Sequence, residues 1–176
     1  MNGGVVPGTL VTTTRGAVPV EQVKVGDLVL THRARWCAVS GLKSGYYDGE
    51  IVRLRPPGLF DTRFTSTLPA WCAEPNWSRL DAPGEWRFVQ VNEVQPEFFL
   101  LYPVPKEWPE GAKSDVTTAL FQGEEITLSD GGVCIRATLV DRLPHTGYVY
   151  NLQVEEDTSY VADGIAVQAA TPAVLG

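Results

Sequence analysis

Few side chains in this sequence could carry chemistry, and they are scattered. The chain has two histidines, His32 and His145, and three cysteines, Cys37, Cys72 and Cys134. These residue types move protons, attack carbonyls or bind soft metals. An odd cysteine count with no C-x-x-C spacing argues against a disulfide framework or a zinc site. The three thiols could meet His32 around a metal, but they read as small, buried, free side chains. His145 reads as a solvent-exposed turn histidine. Glu155-Glu156-Asp157 reads as a solvated turn, with weak cation binding as the alternative. Neither a metal nor a cofactor is expected.

The charge balance removes other classes. Fourteen Lys and Arg against 21 Asp and Glu leave a net charge of −7. An acidic surface repels phosphate backbones, so no nucleic-acid partner is expected. No apolar run reaches the ~20 residues that span a bilayer, and no membrane partner is expected. The opening Met1-Asn2-Gly3-Gly4-Val5-Val6-Pro7 has neither a basic nor an apolar signal region. With free thiols, this reads as a cytoplasmic protein, and a monomer.

The elements that must position any site are strands. There are 17 glycines and 13 prolines in 176 residues, which interrupt helix interiors and favour short strands joined by turns. Strands are expected over Val5–Val11 with a Pro7-Gly8 kink, Leu28–Leu30, Trp36–Leu42, Tyr46–Arg55 and Asp61–Trp71. Asn76–Glu85 reads as a surface loop and Trp86–Tyr102 as strand-like. Strand patterns return from Ile126, through Val133–Val140, Tyr148–Val154 and Tyr160–Val167. The best helix candidate is Ala112–Phe121, with Ala112, Val116, Ala119 and Leu120 on one face. The five tryptophans read as core anchors.

The chain also repeats itself. Val18 to Leu30 echoes in Phe88 to Leu101, with Gly26-Asp27 matching Pro96-Glu97. Asp48 to Leu54 echoes in Thr146 to Leu152. Two echoes in the same order suggest a duplicated β-unit and an all-β fold with pseudo-two-fold symmetry.

Three segments resemble the hedgehog/intein (Hint) family. Val6 to Thr31, V-P-G-T-L-V-T-T-T-R-G-A-V-P-V-E-Q-V-K-V-G-D-L-V-L-T, is similar to the opening block of an intein. Tyr47 to Pro69 is similar to the stretch leading into the intein Thr-x-x-His-Pro motif. Gly147 to Ala169, G-Y-V-Y-N-L-Q-V-E-E-D-T-S-Y-V-A-D-G-I-A-V-Q-A, is similar to the closing blocks. The middle segment Trp86–Pro105 adds to the likeness. The resemblance implies a horseshoe-like Hint fold with at most one short helix near 112–121. It also implies a domain over residues 5–169, with flanks at 1–4 and 170–176. Fewer than 60 residues separate Pro69 from Ile126, too few for a homing endonuclease, so the mini-intein form is implied.

The activity the resemblance implies is autocatalytic splicing: an acyl shift and an asparagine cyclisation, with the host protein acting in cis. Its motif positions can be checked for chemistry. Matching on Pro7-Gly8-Thr9 puts the first nucleophile at Val5, which has none. Thr65 is kept, but Leu68 stands in the place of the motif histidine and moves no proton. Asn151 holds the closing block's Asp/Asn position. Thr158 and Gln168 replace histidines. Ala169 replaces the terminal asparagine, and Ala170 the downstream nucleophile. No catalytic residue of the set is left intact, so the chain is expected not to splice. An alternative is a co-opted structural or binding module, for example a phage or assembly component, that keeps the Hint fold.

Overall fold

The computed structural model describes residues 3–54, 62–105, 107–108, 132–136 and 140–170. The helix expected over 112–121 lies outside them. Among the described residues, twelve strands in chain order form one continuous sheet: β1 Leu10–Thr13, β2 Gly16–Pro19, β3 Leu28–Leu30, β4 Trp36–Leu54, β5 Thr62–Thr65, β6 Pro69–Asn76, β7 Arg79–Gln90, β8 Phe99–Pro103, β9 Gly132–Arg136, β10 Val140–Val154, β11 Ser159–Ala162 and β12 Ile165–Gln168. The spatial order is β10-β4-β3-β1-β11-β12-β6-β8-β9, with β2 on β1, β5 on β4 and β7 on β6. All pairings are antiparallel.

The internal echo is a structural repeat. Val20–Gln22 and Val91–Glu93 each form a single 3₁₀ turn, entered from Pro19 and Gln90 in matching extended conformations. The turns that follow close identically, Asp27 N–H on Lys24 O and Phe98 N–H on Gln95 O. Gly26 and Glu97 share the left-handed conformation there, at φ 95° and 81°. The structural partner of Gly26 is therefore Glu97, one residue later than the sequence echo placed it. The second echo falls on the two longest strands among the described residues, β4 and β10, which pair with each other from Val39–Val154 to Leu54–Val140, with a register shift beside Gln153.

Several local expectations change. Trp36–Leu42 and Tyr46–Leu54 are one strand, and Arg55 lies outside the described residues. The intervening residues alternate without apolar side chains, so what holds them extended is the ladder to β10 rather than a local hydrophobic pattern. Asn76–Glu85 is not a loop. It is a strand end and the hairpin into β7, with the register shifting around Pro75, which cannot donate to the ladder. Val5–Val11 is not continuous; Val5 makes isolated bridges and β1 starts at Leu10. Trp86–Tyr102 is interrupted by the 3₁₀ turn, and Tyr160–Val167 by the Asp163-Gly164 hairpin turn.

The core is assembled from valines and other aliphatics on inward positions: Val11, Val20, Val29, Leu30, Val52, Leu54, Leu100, Leu152, Val161 and Ile165, with Tyr160 and Phe64 the largest fully buried side chains among the described residues. Trp36, Trp71 and Trp108 pack against it, but Trp77 is exposed.

Candidate functional site

Two hairpin ends and one strand meet at the N-terminal segment. Val5 pairs with Tyr150 on β10 through both backbone bonds, 2.8 and 2.9 Å, and bridges to Phe64 on β5. Its side chain is wholly buried in the core. The polar contacts lie one residue earlier, at Gly4. The Gly4 N–H donates to Thr65 Oγ1 at 2.8 Å, and Thr65 N–H donates back to Gly4 O at 2.9 Å. The Asn151 side chain donates from Nδ2 to Gly3 O at 3.1 Å. Both polar ends of the Gly3–Gly4 peptide are thus held.

Each partner is fixed by its own element. Thr65 ends β5, and the tight turn that follows returns Leu68 N–H to Thr65 O at 3.0 Å. That turn brings Leu68 against the same peptide: a Cβ on Gly3 would lie 3.1 Å from the Leu68 backbone and from Thr65 Oγ1. Gly3 is also left-handed, at φ 111°, where glycine is favoured. Asn151 sits on β10 beside Tyr150, and its Oδ1 accepts from Tyr160 Oη and Leu152 N, both at 2.9 Å. Thr65, Leu68, Asn151 and Tyr160 are all buried.

The C-terminal positions close on the same strand. Val167 pairs with Ala70, just past Leu68. Ala169 N–H donates to Thr158 O at 2.9 Å, and Ala170 N–H donates to Leu152 O at 2.8 Å. Asn151 and Leu152, neighbours on β10, therefore hold the residues of both ends. Thr158 is left-handed, at φ 52°, and presents its carbonyl rather than a proton-transfer group. Gln168 pairs with Ser159.

The other candidate groups lie elsewhere. His145 is not in a turn. It lies in β10 opposite Gly49, stacked on Tyr47. His32 bonds Ser159 through its backbone N–H at 3.0 Å and Nδ1 at 2.6 Å, and packs on Trp71 and Phe88. Asp157 is not solvated. Its carboxylate is enclosed and takes bonds from the Arg35 guanidinium, Thr31 Oγ1 at 2.6 Å and Cys37 Sγ at 3.6 Å. The Arg35 guanidinium holds its pKa far below the ordinary range. Cys37 and Cys72 are buried free thiols, and burial pushes Cys72 up to about 12.

Sequence reasoning missed Gly3 and Gly4, which look like flank, and Tyr160, which lies inside the quoted closing block. The glycine pair is a faint signal. It becomes informative only beside Thr65.

This strand order around a held N-terminal peptide defines a Hint-fold domain. No protein-family model matches the chain. It is similar in structure to the intein-like domain from Clostridium thermocellum (TM-score 0.62, 17% identity, 97% of this chain and 99% of that one). It is likewise similar to the DnaB intein from Synechocystis (TM-score 0.63, 10% identity, 96% and 99%) and to the DnaX mini-intein from Spirulina platensis (TM-score 0.63, 13% identity, 94% and 98%). The chain thus has the fold of inteins and intein-like domains in its compact, mini-intein form. In sequence it is 28% identical over 147 residues to the iron-sulfur cluster assembly SufBD family proteins of Mycobacterium tuberculosis and Mycobacterium bovis. That match takes in 73% of this chain and only 17% of those proteins. No helix among the described residues is long and apolar enough to cross a membrane.

Proposed function

We propose that this chain is an intein-like domain embedded in a longer host protein, related to autocatalytic splicing but unable to splice. One observation carries the reading. The Gly3–Gly4 peptide is gripped at both ends by Thr65 and Asn151, where a splicing domain would activate its upstream junction, yet Gly4 carries no side-chain nucleophile and, among the described residues that hold the peptide, none is an acid or base that titrates near neutral pH or a base beside the Thr65 hydroxyl to activate it. In this reading the domain's first residue is Gly4 rather than Val5, and its last is Ala169. Leu68, Thr158, Gln168, Ala169 and Ala170 complete the loss. Acid, base and nucleophile act as a unit, so their joint absence leaves a barrier near that of an ordinary amide. The small share of the mycobacterial relatives that the chain matches fits an insert within a host acting in cis.

The test is intact mass after prolonged incubation with a thiol and with hydroxylamine. A single unchanged species is expected. A cut at Gly3–Gly4 or Ala169–Ala170 overturns the claim of inactivity. A second reading, a co-opted binding module, is favoured by the edge-to-face pair Tyr46 and Tyr148, which is mostly exposed on the β4–β10 ribbon. Sedimentation separates the two: a monomer supports the inert insert, and a stable oligomer lost on Tyr46→Ala supports co-option.

A further inference from the structure

We propose that Tyr160 is a positioning residue, orienting the Asn151 amide so that its Nδ2–H polarises the Gly3 carbonyl. The inference rests on the reading that Gly3–Gly4 is the former upstream junction.

The orientation of Asn151 follows from what its neighbours can do. A side-chain amide has a donor end and an acceptor end, told apart by their partners. The Leu152 backbone N–H can only donate, and it meets one end of the amide at 2.9 Å. The Gly3 carbonyl can only accept, and it meets the other end at 3.1 Å. The first end is therefore Oδ1 and the second Nδ2. Tyr160 adds a second donor to Oδ1 at 2.9 Å from β11, a different strand. Leu152 alone is Asn151's own chain neighbour and moves with it. Tyr160 ties the amide to the rest of the sheet. Its ring is wholly buried and its strand pairs with β12, so the hydroxyl is delivered from a rigid support.

The result is a chain from Tyr160 Oη through Asn151 to Gly3 O. A donor fixed on a carbonyl oxygen draws electrons from the acyl carbon and waits where negative charge would build on attack. Half of an acyl-transfer site thus stays assembled around a carbonyl with no nucleophile to use it.

The experiment is NMR on the uniformly ¹⁵N,¹³C-labelled chain. A scalar coupling across the hydrogen bond between Asn151 Nδ2 and Gly3 C′ is expected in the parent protein. In Tyr160→Phe the coupling weakens and Gly3 C′ moves upfield while the rest of the spectrum stays folded. Replacing Tyr160 with a ring-fluorinated tyrosine, a stronger donor, moves Gly3 C′ downfield. A packing role for the ring would move neither. An unchanged Gly3 C′ in folded Tyr160→Phe overturns the proposal. If that variant does not fold, the fluorinated protein decides, and no Gly3 C′ shift there overturns it. Cleavage seen by mass would refute inertness without touching this result.

Discussion

A Cβ built on Gly4 meets the carbonyl oxygen of Tyr150 at 2.5 Å. Neither side can yield cheaply, because Tyr150 is locked to Val5 by two backbone bonds, and Gly4 to Thr65 by one backbone bond and one to the Thr65 hydroxyl. Placing any side chain here therefore means breaking the ladder that holds Gly4. Gly4→Ala and Gly4→Cys should each lose about 1–3 kcal/mol, the usual cost of overpacking. Urea unfolding measures this. Near-equal losses are expected, since the clash lies at Cβ and not at the thiol. Gly4→Cys should also show no thiol-dependent release of Met1–Gly3 by mass, because Leu68 still supplies no proton. A stable, cleaving Gly4→Cys would show that the glycine is incidental.

What the sequence makes legible here is local pattern, and what it hides is tertiary pairing. The repeated Val20–Val23 and Val91–Val94 turns are visible as spaced valines, and their structures match. The three-residue bridge inside β4, Lys43-Ser44-Gly45, is not visible, since its side chains are small or polar and the ladder to β10 holds it straight. Spacing from Gly8-Thr9 cannot say which backbone N–H reaches Thr65; in the structure it is that of Gly4, one residue before Val5. Asp157 looks like part of a solvated run because its partner Arg35 is far away in sequence and only the fold brings them together.

Asp163 occupies the left-handed first position of the Asp-Gly turn between β11 and β12. Its Oδ1 accepts from Leu10 N–H at 2.8 Å, but burial prevails and pushes its pKa up to about 6. The folded protein thus binds this proton more tightly than the unfolded chain. The stability this group contributes is full below about pH 4 and falls as pH rises through 6, by at most about 3 kcal/mol. Asn tolerates the same turn and keeps the acceptor. Asp163→Asn should therefore be more stable than the parent at pH 8, by roughly 1–3 kcal/mol, and indistinguishable from it near pH 4. Urea midpoints at the two pH values check this. An equal gain at both would assign the effect to the turn.

Asp157 should act on the opposite limb. Arg35 and Thr31 favour its ionised form, and its pKa in the fold lies well below the unfolded value. That contribution is present above about pH 4 and is lost as pH falls through the carboxylate range. Asp157→Asn should lower stability at pH 7 and flatten the acid limb of the stability curve. Denaturation midpoints from pH 2 to pH 7 measure both effects. A parallel downward shift with the slope unchanged would mean that the carboxylate's charge is not what Arg35 recognises.

His32 adds a third titration, coupled to Ser159. The Ser159 oxygen accepts the His32 backbone N–H at 3.0 Å and lies 2.6 Å from Nδ1, and a hydroxyl proton turned to Nδ1 favours the neutral ring. Burial between Trp71 and Phe88 lowers the pKa, against the pull of Asp157 and with the push of Arg33 and Arg35. A depressed histidine pKa means that the unfolded chain takes up the proton first, so this stability is complete above about pH 7 and declines as pH falls through 6.5. Ser159→Ala removes the donor that favours the neutral ring. It should cost about 1–2 kcal/mol at neutral pH, the range for leaving a buried polar group unpaired. The His32 Cε1–H resonance should titrate below the ordinary histidine range in the parent and at higher pH in Ser159→Ala. A titration that does not move between the two proteins would show that burial alone sets the ring's charge, and that the Ser159 hydroxyl points elsewhere.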